Sequence, residues 1–291
     1  MSVPLLNASG CLDALTAGDV AQTLDAFVTK TITPLPREGN PPPRIAETEH
    51  GMLNSIGLQG PGIDVFVTQQ LPRLAALGIP LWVSVGGFSA DDYAAVCERL
   101  DECEEVSTIE LNLSCPNVEE APETTAHLVA AARAATAKSL CAKLSPATWD
   151  VSESARAVAA AGADGLSLVN TIRGLALDPA TLQPRLARAV GGYSGPALKP
   201  IALACVQACA RAVELPIVGM GGVMAGIDAM ELVAVGASAV ALGTILFADP
   251  GAPTRIRAEA EAEARARGFE RLEDARGVAL ESADLQGFFV A

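Results

Sequence analysis

The chain has 291 residues, of which 50% are hydrophobic, 19% charged and 4% aromatic, so it is no disordered segment and its core must be filled by Ala, Val, Leu and Ile. A formal charge of −14 excludes a surface that binds nucleic acid by displacing counterions. No Lys or Arg precedes Lys30, which leaves no visible secretory or transit signature, and the uncharged stretches 74–90 and 232–248 are shorter than the about 20 residues of a membrane span. A cytoplasmic protein with no membrane partner is expected, and its seven cysteines, odd in number and without metal-type spacing, are expected as free thiols.

In chain order, short aliphatic runs alternate with Ala-rich stretches of helical period, the pattern of repeated βα units. Strands are predicted over 5–9 and 27–32. A Pro- and Gly-rich segment, 33–62, follows; it is far longer than the about 2–6 residues of a usual βα loop, which marks it as a functional loop or lid. Then come a helix over 63–77, a strand over 81–85, a helix over 90–100, a strand over 108–113 and a helix over 124–138. The remaining elements are strands over 140–144, 165–169, 216–220 and 238–242, with helices over 153–161, 199–213 and 226–235. Eight βα units in one domain, 1–291, predict a closed (β/α)8 TIM barrel of the α/β class. The biased stretch 258–267 (AEAEAEARAR) reads as a solvated terminal helix.

Active sites of such barrels gather at the carboxyl ends of the strands. Along Thr108-Ile-Glu-Leu-Asn-Leu113 the alternation sends Ile109, Leu111 and Leu113 toward the helices and Glu110 and Asn112 toward the barrel axis. The run continues into Ser114-Cys115-Pro116-Asn117, where the proline keeps the Cys115 thiol in extended backbone at the mouth. Lys30 and Lys143 lie inside apolar strands, so each needs an anionic partner: a bound anion, or a buried carboxylate such as Glu110. The last two strands end in Ile217-Val-Gly-Met-Gly-Gly222 and Ala239-Val-Ala-Leu-Gly-Thr244, glycines that let main-chain amides approach a phosphate. The two histidines, His50 and His127, are too few and isolated for a metal centre and read as surface residues.

Four motifs in order, Gly39-Asn-Pro-Pro-Pro-Arg44, Met52-Leu-Asn-Ser-Ile-Gly-Leu58, Asn112-Leu-Ser-Cys-Pro-Asn117 and Gly191-Gly-Tyr-Ser-Gly-Pro196, give the chain a strong resemblance to class 1 dihydroorotate dehydrogenases. The resemblance implies an FMN enzyme of pyrimidine biosynthesis that oxidises dihydroorotate to orotate, with Cys115 as the base. It implies that the flavin contacts Ser9, Gly10, Lys30, Thr31, Asn112, Lys143, Val169 and Gly195, with its phosphate on Gly221, Gly222, Gly243 and Thr244. The substrate falls to Lys30, Asn54, Asn112, Asn117, Asn170 and Thr171, with Met52, Gly57 and Leu58 closing one side. The chain departs from the family pattern at Ser84, where relatives carry Asn, and in the short acidic loop 118–123.

Asn170-Thr-Ile-Arg-Gly-Leu-Ala-Leu-Asp178 and Val218-Gly-Met-Gly-Gly222 look more like the NAD-linked class 1B than the fumarate-using class 1A. Class 1B implies a homodimer or a heterotetramer with a separate subunit carrying FAD and a 2Fe-2S cluster. The alternatives are a class 1A enzyme, a dihydropyrimidine dehydrogenase-like enzyme acting on uracil-type substrates, or a barrel that binds flavin without turnover.

Overall fold

The computed structural model describes residues 3–114 and 122–281. Its strands in chain order are β1 (Leu5–Asn7), β2 (Phe27–Val28), β3 (Ile45–Thr48), β4 (Gly51–Asn54), β5 (Leu81–Val85), β6 (Val106–Asn112), β7 (Ser139–Leu144), β8 (Gly165–Leu168), β9 (Ile172–Leu175), β10 (Val190–Ser194), β11 (Ile217–Met220) and β12 (Ala239–Leu242). The eight strands expected from the sequence form one parallel sheet in the order β1-β12-β11-β8-β7-β6-β5-β2.

Closure between β1 and β2 uses a side chain where the backbone ladder is short. Leu6 bridges Ala26, and the amide of Asp25 donates to the Leu5 carbonyl. Asn7, fully buried, donates from Nδ2 to the Val28 carbonyl at 2.7 Å and accepts the Val28 amide on Oδ1 at 2.8 Å. A carboxamide carries one donor and one acceptor edge, so it replaces a peptide unit in the seam. The result is a closed (β/α)8 barrel.

Outward-facing strand residues such as Ile109, Leu111, Leu140, Leu166 and Leu242 pack on the surrounding helices in one continuous core. Truncating one of them, Leu111→Ala for instance, costs about 2–5 kcal/mol through lost burial and the cavity left behind. The helices fall where helical period predicted them: Ala90–Asp101, Pro122–Ala135, Val151–Ala160, Lys199–Ala212 and Gly226–Ala234. Two carry side-chain N-caps, Ser89 accepting the Asp92 amide and Asp150 accepting the Ser152 amide.

Two readings need correction. The strand predicted over 27–32 is regular only over Phe27–Val28, and contact with β5 continues through the Thr29 amide to the Trp82 carbonyl and the Ile32–Val85 bridge; within that interrupted stretch Thr29 and Thr31 are buried and Lys30 is exposed rather than enclosed in an apolar strand. The stretch 258–267 belongs to the helix Ala252–Ala266, whose Ile256, Ala260 and Ala264 are buried, so only one face of it is solvated. Alanine at this spacing hides an apolar stripe under a charged composition.

The segment 33–62 is more than a loop. It folds β3 and β4 into a hairpin that joins β9 and β10 in a four-stranded antiparallel sheet, order β3-β4-β10-β9. Ala46, Leu53 and Leu186 form a small core of their own beneath it. Gly191 and Gly192 are needed there: a Cβ on Gly191 would lie 2.6 Å from the Asn54 carbonyl oxygen and one on Gly192 2.2 Å from Thr171 Oγ1.

Candidate active site

The barrel interior is divided by composition. Around β1, β2, β11 and β12 it is apolar, with Leu6, Val28, Val218, Met220, Ala239 and Ala241 in one cluster. Across β5 to β8 it is polar. Lys143 Nζ lies 3.5 Å from Glu110 Oε1, with the two side chains 7% and 1% exposed. Glu110 Oε2 accepts the Ser167 hydroxyl at 3.0 Å, and Ser167 Oγ lies 3.1 Å from Cys141 Sγ. The register explains the convergence, since Glu110 pairs with Cys141 and Lys143 with Ser167 on adjoining strands, all at inward positions. Burial, then the Glu110 charge, pushes the Cys141 thiol up to about 12, which leaves it an inert packing group. Glu110 is thus the anionic partner that Lys143 required.

Above this layer one chain of hydrogen bonds crosses the mouth. Ser9 Oγ donates to the Thr29 carbonyl at 2.9 Å and lies 3.4 Å from Thr31 Oγ1. Thr31 Oγ1 meets Ser84 Oγ at 3.1 Å and accepts from Asn112 Nδ2 at 3.2 Å. Asn112 Oδ1 accepts from Asn170 Nδ2 at 3.0 Å, and Asn170 Oδ1 accepts the Thr171 amide at 2.8 Å. Asn54 Nδ2, on the capping sheet, donates to the Gly192 carbonyl at 3.3 Å. Ser84, the departure noted in the sequence, is fully buried and takes its place in this ladder. Six predicted site residues, Ser9, Thr31, Asn112, Asn170, Thr171 and Asn54, are therefore brought together.

Gly57 and Leu58 adopt left-handed backbone (φ 78° and 56°) where the segment 52–58 folds back along one side, and a Cβ on Gly57 would lie 2.7 Å from the Asn40 amide nitrogen. Met52 pairs with Ser194 across the capping sheet, and Gly195 beside it packs so closely that a Cβ would lie 2.6 Å from Gly51 Cα. Gly10 turns the chain at the end of β1, under the stem of Lys30. Exposed as a residue, Lys30 is still crowded by protein; this crowding, then the Arg44 guanidinium, lowers its pKa.

At the ends of β11 and β12, the amides of Gly221, Gly222, Gly243 and Thr244 donate to no backbone carbonyl among the described loops and turns. Gly221 packs against Val169 and Ala202, and a Cβ on Gly222 would lie 2.8 Å from the Lys199 amide nitrogen, so this turn is pressed flat onto the helix Lys199–Ala212. Four free donors on neighbouring strand ends suit an anion with several oxygens.

Cys115 and Asn117 lie outside the described residues. Two residues were missed in the sequence. Arg44 supplies a second positive charge beside Lys30 and donates to Gln59 Oε1 at 2.9 Å. Tyr93, fully buried, donates its hydroxyl to the Asn112 carbonyl at 2.6 Å and so fixes the end of β6. A tyrosine in the apolar stripe of a helix was the available signal, because its buried hydroxyl must find an acceptor.

Fold and mouth together define an enzyme of the (β/α)8-barrel class, with an anion cradle on the last two strands and a polar ladder beside it. The family model described as dihydroorotate dehydrogenase matches residues 1–263. The "Dihydroorotate dehydrogenase B (NAD(+)), catalytic subunit" of Geobacter sulfurreducens is 46% identical over 267 residues, covering 89% of this chain and 87% of the relative. The protein of the same description from Desulforudis audaxviator is 41% identical over 288 residues, covering 95% and 93%. A crystal structure of DHODH from Eimeria tenella in complex with ferulenol superposes with a TM-score of 0.80 over 96% of this chain and 85% of its own, at 24% identity, which bears on the fold alone. The chain belongs to the dihydroorotate dehydrogenase family, and by these relatives it sides with the NAD-linked B branch.

Proposed function

We propose that this chain oxidises (S)-dihydroorotate to orotate, with FMN held noncovalently in the barrel mouth and Cys115 as general base. The observation that carries the reading is the set of groups at the strand ends: four amides after β11 and β12 with no backbone acceptor among the described residues, the buried Lys143, the ladder through Asn112 and Asn170, and Asn54 on the capping sheet beside it. These residues fit the group: the amides of Gly221, Gly222, Gly243 and Thr244 hold its phosphate, while Ser9, Gly10, Thr31, Val169 and Gly195 border its ring system. When bound, FMN supplies the acceptor for the hydride that leaves C6 of the substrate.

The protein's own groups do the rest. Lys30 and Arg44 attract the substrate carboxylate, and the asparagines with Thr171 read its amide edges, which need both donors and acceptors. Lys143, paired with Glu110, would supply the positive charge that stabilises a reduced flavin. Cys115, three positions beyond β6 in the sequence, takes the C5 proton. A thiol with pKa near about 8.5 is a serviceable base once held against that proton.

The B-branch relatives are named as catalytic subunits of NAD-linked enzymes. The chain accordingly passes its electrons to a separate subunit that carries FAD and a 2Fe-2S cluster. The purified chain should be yellow, release FMN on denaturation and reduce a dye with dihydroorotate, but reduce NAD only after the second subunit is added. Colourless protein that FMN does not reconstitute overturns the assignment. NAD reduction by the chain alone overturns the partner requirement, and fumarate turnover moves the chain to class 1A.

A further inference from the structure

The two turns that carry the free amides are tied together behind the mouth by one side chain. Arg255 lies near the start of the helix Ala252–Ala266. Its Nε and Nη2 donate to Asp249 Oδ2 at 3.0 and 2.8 Å, and its Nη1 to the two oxygens of Glu259 at 3.0 and 3.1 Å. Nη2 also donates to the Met224 carbonyl at 3.2 Å. Glu259 Oε2 in turn accepts the Gly226 amide at 2.8 Å. Met224 and Gly226 follow Gly222 on the β11 side, while Asp249 ends the helical turn Ile245–Ala248 that follows Thr244 on the β12 side.

Asp228 secures the β11 turn from within. Its Oδ2 accepts the Met224 and Ala225 amides, both at 2.8 Å, and its Oδ1 accepts Lys199 Nζ at 2.7 Å. A Cβ on Gly226 would lie 2.2 Å from the Ala260 amide nitrogen, so the exit of the turn rests directly on the helix Ala252–Ala266. Two carboxylates already neutralise the Arg255 guanidinium, and its donors point to Asp249, Glu259 and Met224. Its contribution is geometry, since the fixed planar fork is matched to carboxylate and carbonyl at once.

We propose that Arg255 is a positioning residue for the cofactor phosphate: it sets the spacing between the amides of Gly221 and Gly222 and those of Gly243 and Thr244. The proposal rests on the FMN reading above. It gives the charged helix Ala252–Ala266 a part in the site, because Glu259 falls within the biased stretch 258–267.

The test compares FMN with riboflavin, which has the same ring system and no phosphate. Dissociation constants are measured by fluorescence titration of the full chain stripped of flavin, for wild type, R255A, R255K and, as a control on the same helix, R265A. Among the described residues Arg265 pairs with Glu261 alone, 3.8 Å away. R255A should weaken FMN by on the order of ten- to a hundredfold, the loss of one to two charge-assisted hydrogen bonds from the support of the cradle, and riboflavin by less than about twofold. R255K, able to reach fewer partners, should fall between; if R255A does not fold, R255K carries the comparison. R265A should match wild type. Equal losses for FMN and riboflavin, or no loss for either, would show Arg255 to be a general stabiliser and overturn the proposal. A wild type that binds FMN no better than riboflavin overturns the phosphate site itself, and the positioning role with it.

Discussion

Replacing Glu110 by Gln leaves the volume of the barrel interior unchanged and removes the counter-charge of Lys143. Two unit charges at the observed 3.5 Å attract by about 5 kcal/mol in a medium of effective dielectric about 20. Removing one partner of a buried pair costs about 3–5 kcal/mol, because the other is left buried and uncompensated. Spread over a domain of this size, that loss lowers Tm by roughly 5–15 °C. The assay is thermal and denaturant unfolding of wild type, E110Q, K143M and the double variant, all without added flavin. E110Q and K143M should each be less stable than wild type, and the double variant should regain much of the loss, since an unpaired charge is then no longer buried. An E110Q protein that melts with wild type, or a double variant whose loss is the sum of the two single ones, would refute the ion-pair account.

Three further expectations test other parts of the structure. Gly192→Ala places a Cβ 2.2 Å from Thr171 Oγ1, so it should displace Thr171, weaken binding of the product orotate and leave FMN content unchanged; flavin difference spectra with orotate measure this. Cys115→Ala should retain FMN yet slow flavin reduction by dihydroorotate about 10²- to 10⁴-fold, and the wild-type rate should rise with pH as the thiol ionises; stopped-flow absorbance checks both. Burial pushes the Asp228 carboxyl up, but the Lys199 ammonium and the Met224 and Ala225 amides outweigh it and hold the pKa below the ordinary value. A depressed carboxyl contributes stability above its unfolded pKa of about 3.9 that is lost as pH falls through the folded value. The Tm gap between wild type and D228N should therefore be widest near neutrality and close as the solution is acidified.

The barrel was legible because its strands alternate: Ile109, Leu111 and Leu113 against Glu110 and Asn112 gave both the faces of β6 and the candidate partner of Lys143. Glycines at the ends of β11 and β12 likewise announced free amides. The capping sheet stayed hidden because β3, β4, β9 and β10 are short and half-exposed, and the pairing that joins the two halves, β4 with β10, spans more than a hundred residues, as in the register of Asn54 with Gly192. Local pattern carries little information about such pairings. Lys30 was misplaced because the regular ladder is interrupted between Val28 and the Ile32–Val85 bridge, so the alternation of buried and exposed side chains does not run through it. The Arg255 fork was invisible for a related reason: a run of Ala, Glu and Arg fixes a helix but not what its charged face touches.

The central claim is that this mouth transfers hydride from dihydroorotate to its own flavin. Anaerobic mixing of the FMN-loaded chain with dihydroorotate, followed at the flavin absorption band, tests it most directly, with dihydrouracil in a parallel mixing. Rapid bleaching by dihydroorotate and little by dihydrouracil is predicted, since dihydrouracil lacks the carboxylate proposed to be bound by Lys30 and Arg44. A flavin that stays oxidised with dihydroorotate, or bleaches equally fast with dihydrouracil, would contradict it.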